Sequence, residues 1–150
     1  MTVSRLIASG CGCGHAKIAP GTIASAVTVL PGALLLNFVP EFLPAAVLIA
    51  ALTGLWAIHA ADVDDDPGWV VIDEIAGQLL ALCGLTHASL RGLLAAFLIF
   101  RLLDVAKPGP IRWANRQNGP AAIMADDLIA GAITAGILWS VSARWPIVLG

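Results

Sequence analysis

Charged side chains are scarce in this chain of 150 residues: they make up 12% of it, against 59% hydrophobic residues, and the mean hydropathy is +0.89. Soluble domains carry about twice this share of charge, so the composition excludes a water-soluble globular domain. Lysine and arginine together number 8, the net charge is −2 and there is no basic tract, which excludes a nucleic-acid-binding protein. The composition therefore predicts an all-α, polytopic membrane protein in which residues 1–150 form a single domain.

Cysteine is also scarce, with only Cys11, Cys13 and Cys83 in the chain, and three such residues do not suggest a disulfide framework. Cys83 lies in an apolar run and is interpreted as a small hydrophobic residue. Cys11 and Cys13 form a C-x-C-x-H pattern with His15, but a soft-metal site would need further ligands, and the role of these three is left open. The first eight residues are too weakly apolar for a cleavable signal, so insertion is expected to depend on internal segments.

Five apolar runs are predicted to form helices, and together they predict a membrane helical bundle. They lie at residues 18–40, 42–61, 69–85, 93–105 and 120–142. Pro31 falls within the first run and is expected to kink it. Residues 1–20 are expected to be a polar, glycine-rich lead-in, and residues 108–119 a short amphipathic segment at the surface.

Simple alternation of five crossings places most of the charge on one face of the membrane. That face receives Arg5, Lys17, residues 62–66, Asp73, Glu74, all charged residues from Arg101 to Arg116, Asp126 and Asp127. Only Glu41, Arg91 and Arg144 fall on the opposite face. Lysine and arginine favour the cytoplasmic side, so the charge-rich face is predicted to be cytoplasmic, with the N-terminus inside and the C-terminus outside.

Two acidic pairs, Asp73-Glu74 and Asp126-Asp127, are each expected to open a helix, with a glycine about one turn further on. For one pair alone, helix capping and close helix packing would be an equally good explanation. Asp104 is expected at the same depth on a third helix, and five carboxylates brought together repel unless a cation lies among them. An all-oxygen ligand set suits Mg²⁺, so all five are predicted to be catalytic residues and metal ligands.

Cationic side chains flank these acids. Arg101 and Lys107 lie three residues on either side of Asp104, share its helix face and are predicted to bind phosphate. Arg112 is a further candidate for substrate binding. Neutralisation of the carboxylates, or anchoring at the membrane interface, is the alternative role for these cations.

A glycine-rich loop at residues 9–22 ends in Gly21 and Thr22, which are also predicted to bind substrate. Glycine lets the backbone approach an anion closely, and Thr22 is expected to cap the next helix, whose free N–H groups attract phosphate. A plain flexible lead-in is the alternative. The acidic tract at residues 62–66 is interpreted as a solvated loop, although Asp66 is near enough to the helix of Asp73 to approach the site.

Four segments, taken in order, resemble motifs of the phosphatidylglycerophosphatase A family. They are IAPGT at 18–22, VIDEIAG at 71–77, FRLLDVAKPGPIR at 100–112 and MADDLIAGAITAG at 124–136. The resemblance implies an integral protein of the bacterial inner membrane that depends on Mg²⁺ and removes the terminal phosphate of phosphatidylglycerophosphate. It places the five carboxylates, Arg101 and Lys107 in the active site, with Gly21 and Thr22 on its rim. Residues 10–17 and 115–118 depart from the family pattern.

The predicted function is hydrolysis of a phospholipid monoester at the cytoplasmic membrane face. Attack by a metal-activated water and formation of an aspartyl-phosphate on Asp126 or Asp127 both stay open. The alternative is a non-enzymatic membrane protein such as a divalent-cation transporter, although carriers need polar groups across the bilayer depth. An alcohol phosphotransferase is a third candidate, but it would carry aspartates spread along two helices. The sequence does not set the oligomeric state.

Overall fold

The computed structural model describes residues 2–64 and 66–145, and all regular secondary structure in these residues is helical. Its α-helices are α1 Val3–Ala8, α2 Pro20–Phe38, α3 Leu43–Ala60, α4 Ile72–Leu82, α5 Leu90–Ala106, α6 Pro110–Asn115 and α7 Pro120–Arg144. Short 3-10 turns occupy Cys13–His15 and Pro40–Phe42. The predicted all-α class is confirmed.

Three helical stretches within the described residues are long and apolar enough to cross a bilayer: Pro20–Phe38, Pro40–Ala60 and Pro120–Arg144. The other two predicted crossings, α4 and α5, have 11 and 17 residues. At 1.5 Å per residue they measure about 17 Å and about 26 Å, less than the ~30 Å of a typical hydrocarbon core. Three spans are thus supported by length, and a count of five stays a prediction.

The structure corrects two sequence predictions about residues at helix starts. Helix α2 begins at Pro20, with Ala19 as the N-cap residue at a φ of 45°, so Thr22 lies inside the first turn and does not cap it. Helix α7 also begins at a proline, Pro120, and Asp126 is therefore its seventh residue. Proline at the first helical position is preorganised for the helix. The expectation that Asp126 and Asp127 open a helix is wrong, and the helix dipole does not account for them.

The predicted lead-in is also more ordered than expected, because α1 packs against α3 and its last residue is hydrogen-bonded to Val71, the residue before α4. The backbone N–H of Val71 donates to the carbonyl of Ala8 over 2.9 Å. A Cβ added to Gly14 would overlap the carbonyl of Trp69, and the Arg5 guanidinium lies 5.8 Å from the centre of the Trp69 ring. The N-terminal segment therefore fixes the start of α4.

Helix α4 lies at the centre of the bundle, and contacts at glycine residues show the direction of the neighbouring helices relative to it. Gly21 and Gly32 of α2 meet Glu74 and Leu82 of α4, so these helices are parallel. Their contact continues past Pro31, which lies within α2 without ending it.

The directions of α7 and α5 follow from similar contacts. Gly77 of α4 meets Asp127, and Gly84 meets Ala135, so α4 and α7 are also parallel. The start of α5 lies at the end of α2, since the N–H of Ala88 donates to the Asn37 side chain over 3.1 Å. Helices α2, α4 and α7 thus point one way, and α5 points the other way.

Candidate active site

The first turn of α4 places two carboxylates against α7. Asp73 and Glu74 each contribute a carboxylate oxygen to a group that Asp127 completes, and these oxygens lie within 4.8 Å of one another. Asp73 is 3% exposed and Asp127 is 2% exposed, while Glu74 is partly buried. The close approach depends on glycine, because a Cβ on Gly77 would lie 2.7 Å from the carbonyl oxygen of Asp127.

Each of these carboxylates has one buried oxygen without a hydrogen-bond partner among the described residues. The atoms are Asp73 Oδ1, Glu74 Oε2 and Asp127 Oδ1. Burying anionic oxygens without partners carries a large free-energy cost, which a bound cation would remove. Three convergent carboxylates are the hard oxygen donors that a cation such as Mg²⁺ requires. The residues present therefore fit a divalent cation.

The other two predicted ligands are engaged by cationic side chains. Asp104 forms a salt bridge with Arg101, one turn earlier on α5, and Asp126 forms one with Lys107. Asp126 also accepts a hydrogen bond of 3.0 Å from the Asn115 side chain. The five predicted carboxylates thus come together in two groups. Asp73, Glu74 and Asp127 accept no hydrogen bond from a cationic side chain among the described residues, whereas Asp104 and Asp126 each accept one.

Lys107 reaches the cluster because α5 ends there, at a left-handed backbone conformation with a φ of 44°. Its burial lowers the pKa, but the hydrogen bond to Asp126 and the charges of Asp126, Asp104 and Asp127 outweigh this effect and raise the pKa above its ordinary value. The ammonium group therefore stays charged beside the carboxylates.

Arg101 links the two parts of the cluster. Its Nη1 lies 3.8 Å from Glu74 Oε1 in addition to its salt bridge with Asp104. The same guanidinium borders α2, because a Cβ on Gly21 would lie 3.4 Å from Nη1 and would overlap Glu74 Oε1. Gly21 is thus needed for the approach of α2, and Thr22 follows it in the first turn. The first N–H groups of a helix have no acceptor within it, so this turn adds free donors at the rim of the cluster.

Arg112 lies further out. It is exposed on α6, and its Nε donates to the carbonyl of Lys107 over 3.3 Å. Helix α6 buries Ile111 and Ala114 and exposes Trp113, which is the amphipathic pattern expected of residues 108–119.

Two polar residues outside the predicted set border the cluster. Asn115 contacts Asp126 directly, as described above. Asp66 is exposed, yet partial desolvation of its carboxylate raises its pKa. The positive charge of Lys107 opposes this rise in the pKa, and the negative charges of Asp126 and Asp104 add to it. Both residues line a cavity of about 80 Å³ whose other walls are Asp64, Gln117, Asn118, Ala122 and Ile123. Proximity in sequence pointed to Asp66, whereas no sequence signal pointed to Asn115.

The sequence profile described as Phosphatidylglycerophosphatase A matches residues 6–142, which include every residue of this cluster. The chain belongs to the phosphatidylglycerophosphatase A family. It is 37% identical to a phosphatidylglycerophosphatase A of Escherichia coli (strain K12) over 148 residues, which cover 95% of this chain and 86% of that protein.

Two further proteins are similar to nearly the whole of this chain. A phosphatidylglycerophosphatase A of Haemophilus influenzae is 33% identical over 91% of this chain and 87% of its own length. A putative phosphatidylinositol-3-phosphatase of Bacteroides thetaiotaomicron is 32% identical over 95% of this chain and 94% of its own. No solved structure matches the chain significantly.

Proposed function

We propose that this protein hydrolyses the terminal phosphomonoester of phosphatidylglycerophosphate, releasing phosphatidylglycerol and inorganic phosphate. The observation that carries the proposal is the group formed by Asp73, Glu74 and Asp127, three convergent carboxylates beside two cationic side chains. Such a set can hold a phosphate and a divalent cation together. Membership of a family named for this reaction supports the choice of substrate.

We assign Asp73, Glu74 and Asp127 as the residues that would hold Mg²⁺. Asp104 and Asp126 lie next to this group and hold the cationic side chains. When bound, the cation would supply charge stabilisation to the phosphoryl group and lower the pKa of a coordinated water. The unpartnered carboxylate oxygens support this assignment, because a cation would satisfy all three.

The cationic residues would act on the phosphate itself. Asp104 and Asp126 hold Arg101 and Lys107 in place, so that both cations can offset negative charge on the phosphoryl oxygens. The free N–H groups at Gly21 and Thr22 would add hydrogen bonds at the rim. For a route through an aspartyl-phosphate, Asp127 is the better nucleophile, because Asp126 is occupied by Lys107 and Asn115.

We place this site at the cytoplasmic face of a bacterial inner membrane that the chain crosses five times. Residues along the outer face of α5 support a crossing there: Leu94, Leu98 and Leu102 are 51%, 61% and 68% exposed, as lipid-facing residues would be. The acid cluster lies at the first turn of α4 and the last turn of α5. Ligands confined to one level fit an interfacial enzyme better than a cation transporter, which would need them across the bilayer.

The direct test is phosphate release by the purified protein in detergent micelles. Phosphatidylglycerophosphate should yield free phosphate with Mg²⁺ and little or none after EDTA treatment. Phosphatidylinositol 3-phosphate should be tested in parallel, because one relative is named for it. Absence of release from phosphatidylglycerophosphate in the presence of metal would overturn the proposal. A preference for the inositol lipid would keep the reaction class but change the substrate.

A further inference from the structure

Gln78 is a polar side chain buried in the apolar interior, one turn after Glu74 on α4. Its exposed fraction is 0%, and neither its Nε2 nor its Oε1 has a hydrogen-bond partner among the described residues. Buried amides are normally paired, because an unpaired one loses its bonds to water without replacement. Gln78 therefore indicates a ligand that supplies both an acceptor and a donor.

The direction in which Gln78 points follows from its neighbours on the helix. Glu74, Gln78 and Leu82 are four residues apart and share one stripe of α4. The Glu74 end of the stripe contacts Gly21, and the Leu82 end contacts Gly32. Gln78 lies midway, so it faces the part of α2 between these two glycines.

That part of α2 carries two buried hydroxyl groups. Ser25 donates to the carbonyl of Gly21 over 2.8 Å, and Thr28 donates to that of Ala24 over 2.7 Å. Each hydroxyl oxygen can still accept a hydrogen bond. The α2–α4 contact thus contains a short polar seam within an otherwise apolar interior.

The seam is continuous with the acid cluster. Arg101 Nε, at the Gly21 end, is likewise buried without a partner among the described residues. A donor on Arg101 and, deeper in the protein, both a donor and an acceptor on Gln78 are therefore without partners among the described residues. Such a row of unpaired groups fits a small uncharged ligand that both donates and accepts hydrogen bonds.

We propose that Gln78 binds a hydroxyl group and holds it against the Glu74 side of the site. The inference rests on the proposed phosphatase function, whose reactants offer two sources of this chemistry. One is water, and the other is the free hydroxyl on the glycerol headgroup of the lipid. Gln78 is thus a residue that positions a reactant, in addition to the charged residues of the cluster.

The test compares Gln78→Met, which keeps the side-chain length and removes its hydrogen bonds, with the wild-type protein. Two substrates are used: phosphatidylglycerophosphate, and its deoxy analogue with hydrogen in place of the free headgroup hydroxyl. We expect Gln78→Met to lower kcat/KM for phosphatidylglycerophosphate at least tenfold. If the ligand is water, the loss is the same on both substrates and falls on kcat. If the ligand is the headgroup hydroxyl, the wild type itself has a lower kcat/KM on the deoxy analogue than on phosphatidylglycerophosphate. On that analogue, Gln78→Met then lowers kcat/KM only a little further.

The matched control is Thr134→Val. Thr134 is equally buried, but its hydroxyl is already satisfied by the carbonyl of Ala130 at 2.8 Å, so kcat/KM should stay within twofold. Thermal unfolding followed by tryptophan fluorescence shows whether each variant is folded, and Gln78→Leu replaces Gln78→Met if the latter is not. A folded variant with kcat/KM within twofold of wild type on both substrates overturns the inference, as does an equal loss in Thr134→Val. Failure of the wild type to release phosphate would instead overturn the proposed function.

Discussion

At the scale of single residues, the carboxylates of the site differ in what holds them. Asp104 and Asp126 are each paired with a cationic side chain, whereas Asp127 and Asp73 keep a buried oxygen without a partner among the described residues. A paired carboxylate is already compensated, so it can orient its cation without a metal. An unpaired one depends on a ligand for compensation. The two groups should therefore respond differently to the same chemical change.

Asp127→Asn and Asp126→Asn form a matched pair for this distinction, since they are neighbours on α7 with similar burial. Both variants should lose phosphatase activity by about 100-fold or more, in line with the loss of a group that stabilises transition-state charge. Only Asp127→Asn should also lose the rise in Tm on adding Mg²⁺, because a ligand stabilises the folded state only through its own site. Thermal unfolding in detergent with and without Mg²⁺ measures this.

The comparison has two outcomes that would contradict the assignment. If Asp126→Asn abolishes the Mg²⁺ response as completely as Asp127→Asn, the division of the carboxylates is wrong. Near-normal turnover in Asp127→Asn would show that this residue is structural.

At the scale of helices, the site exists because α4 and α7 approach each other through glycine. A Cβ on Gly131 would overlap the carbonyl oxygen of Gly77, and both glycines are buried in this contact. Small residues at helix contacts let backbones approach closely and are common in membrane bundles. The contact lies about one turn beyond the acidic pairs on both helices, so it sets the separation of Asp73 from Asp127.

Gly131→Ala should therefore destabilise the protein by about 1–3 kcal/mol, the usual cost of overpacking, and should reduce activity by widening the carboxylate cluster. Gly136→Ala on the same helix is the control, because, apart from its own helix neighbours, no atom of the described residues lies within 4 Å of a Cβ at that position. Its Tm should equal that of wild type or exceed it slightly, since alanine favours the helix. Equal Tm values for the two variants would show that the glycine contact does not limit stability.

At the scale of the whole molecule, the directions of α2, α4, α5 and α7 fit alternating crossings, but the short α4 and α5 admit a second arrangement. If both cross, the loop between them, which contains Arg91, lies outside. If they form a hairpin that stops short of the opposite face, Arg91 lies within the bilayer and does not contact water on that side. The position of Arg91 therefore decides between five crossings and three.

Arg91→Cys and Arg116→Cys, each in a background with the native cysteines replaced by serine, test this with a membrane-impermeant maleimide. Both arginines are exposed, so labelling reports the side of the membrane. On intact spheroplasts we expect Arg91→Cys to be labelled and Arg116→Cys to be labelled only after permeabilisation. Absence of labelling at Arg91→Cys on intact spheroplasts, with Arg116→Cys labelled after permeabilisation, would support three crossings. Labelling of Arg116→Cys from outside would reverse the predicted orientation.

Much of the fold was predictable from sequence, because apolar runs bounded by proline and charge mark helices in a membrane protein. The last helix was expected at residues 120–142 and is found at Pro120–Arg144, and the second run, at 42–61, is Leu43–Ala60 in the structure. The order of these runs and their spacing also placed the acidic and basic motifs on separate helices. Local composition is sufficient for this, since each helix satisfies its own backbone hydrogen bonds.

By itself, the sequence determined the membrane class, the family motifs and which acidic and basic residues could share a site. Only the tertiary structure decided that Asp126 pairs with Lys107 and Asn115, that Arg101 also approaches Glu74, and that Gln78 faces α2. These facts depend on the rotation and spacing of helices far apart in the chain. That geometry is set by contacts such as those of Gly21 and Gly131, whose partners no local pattern identifies.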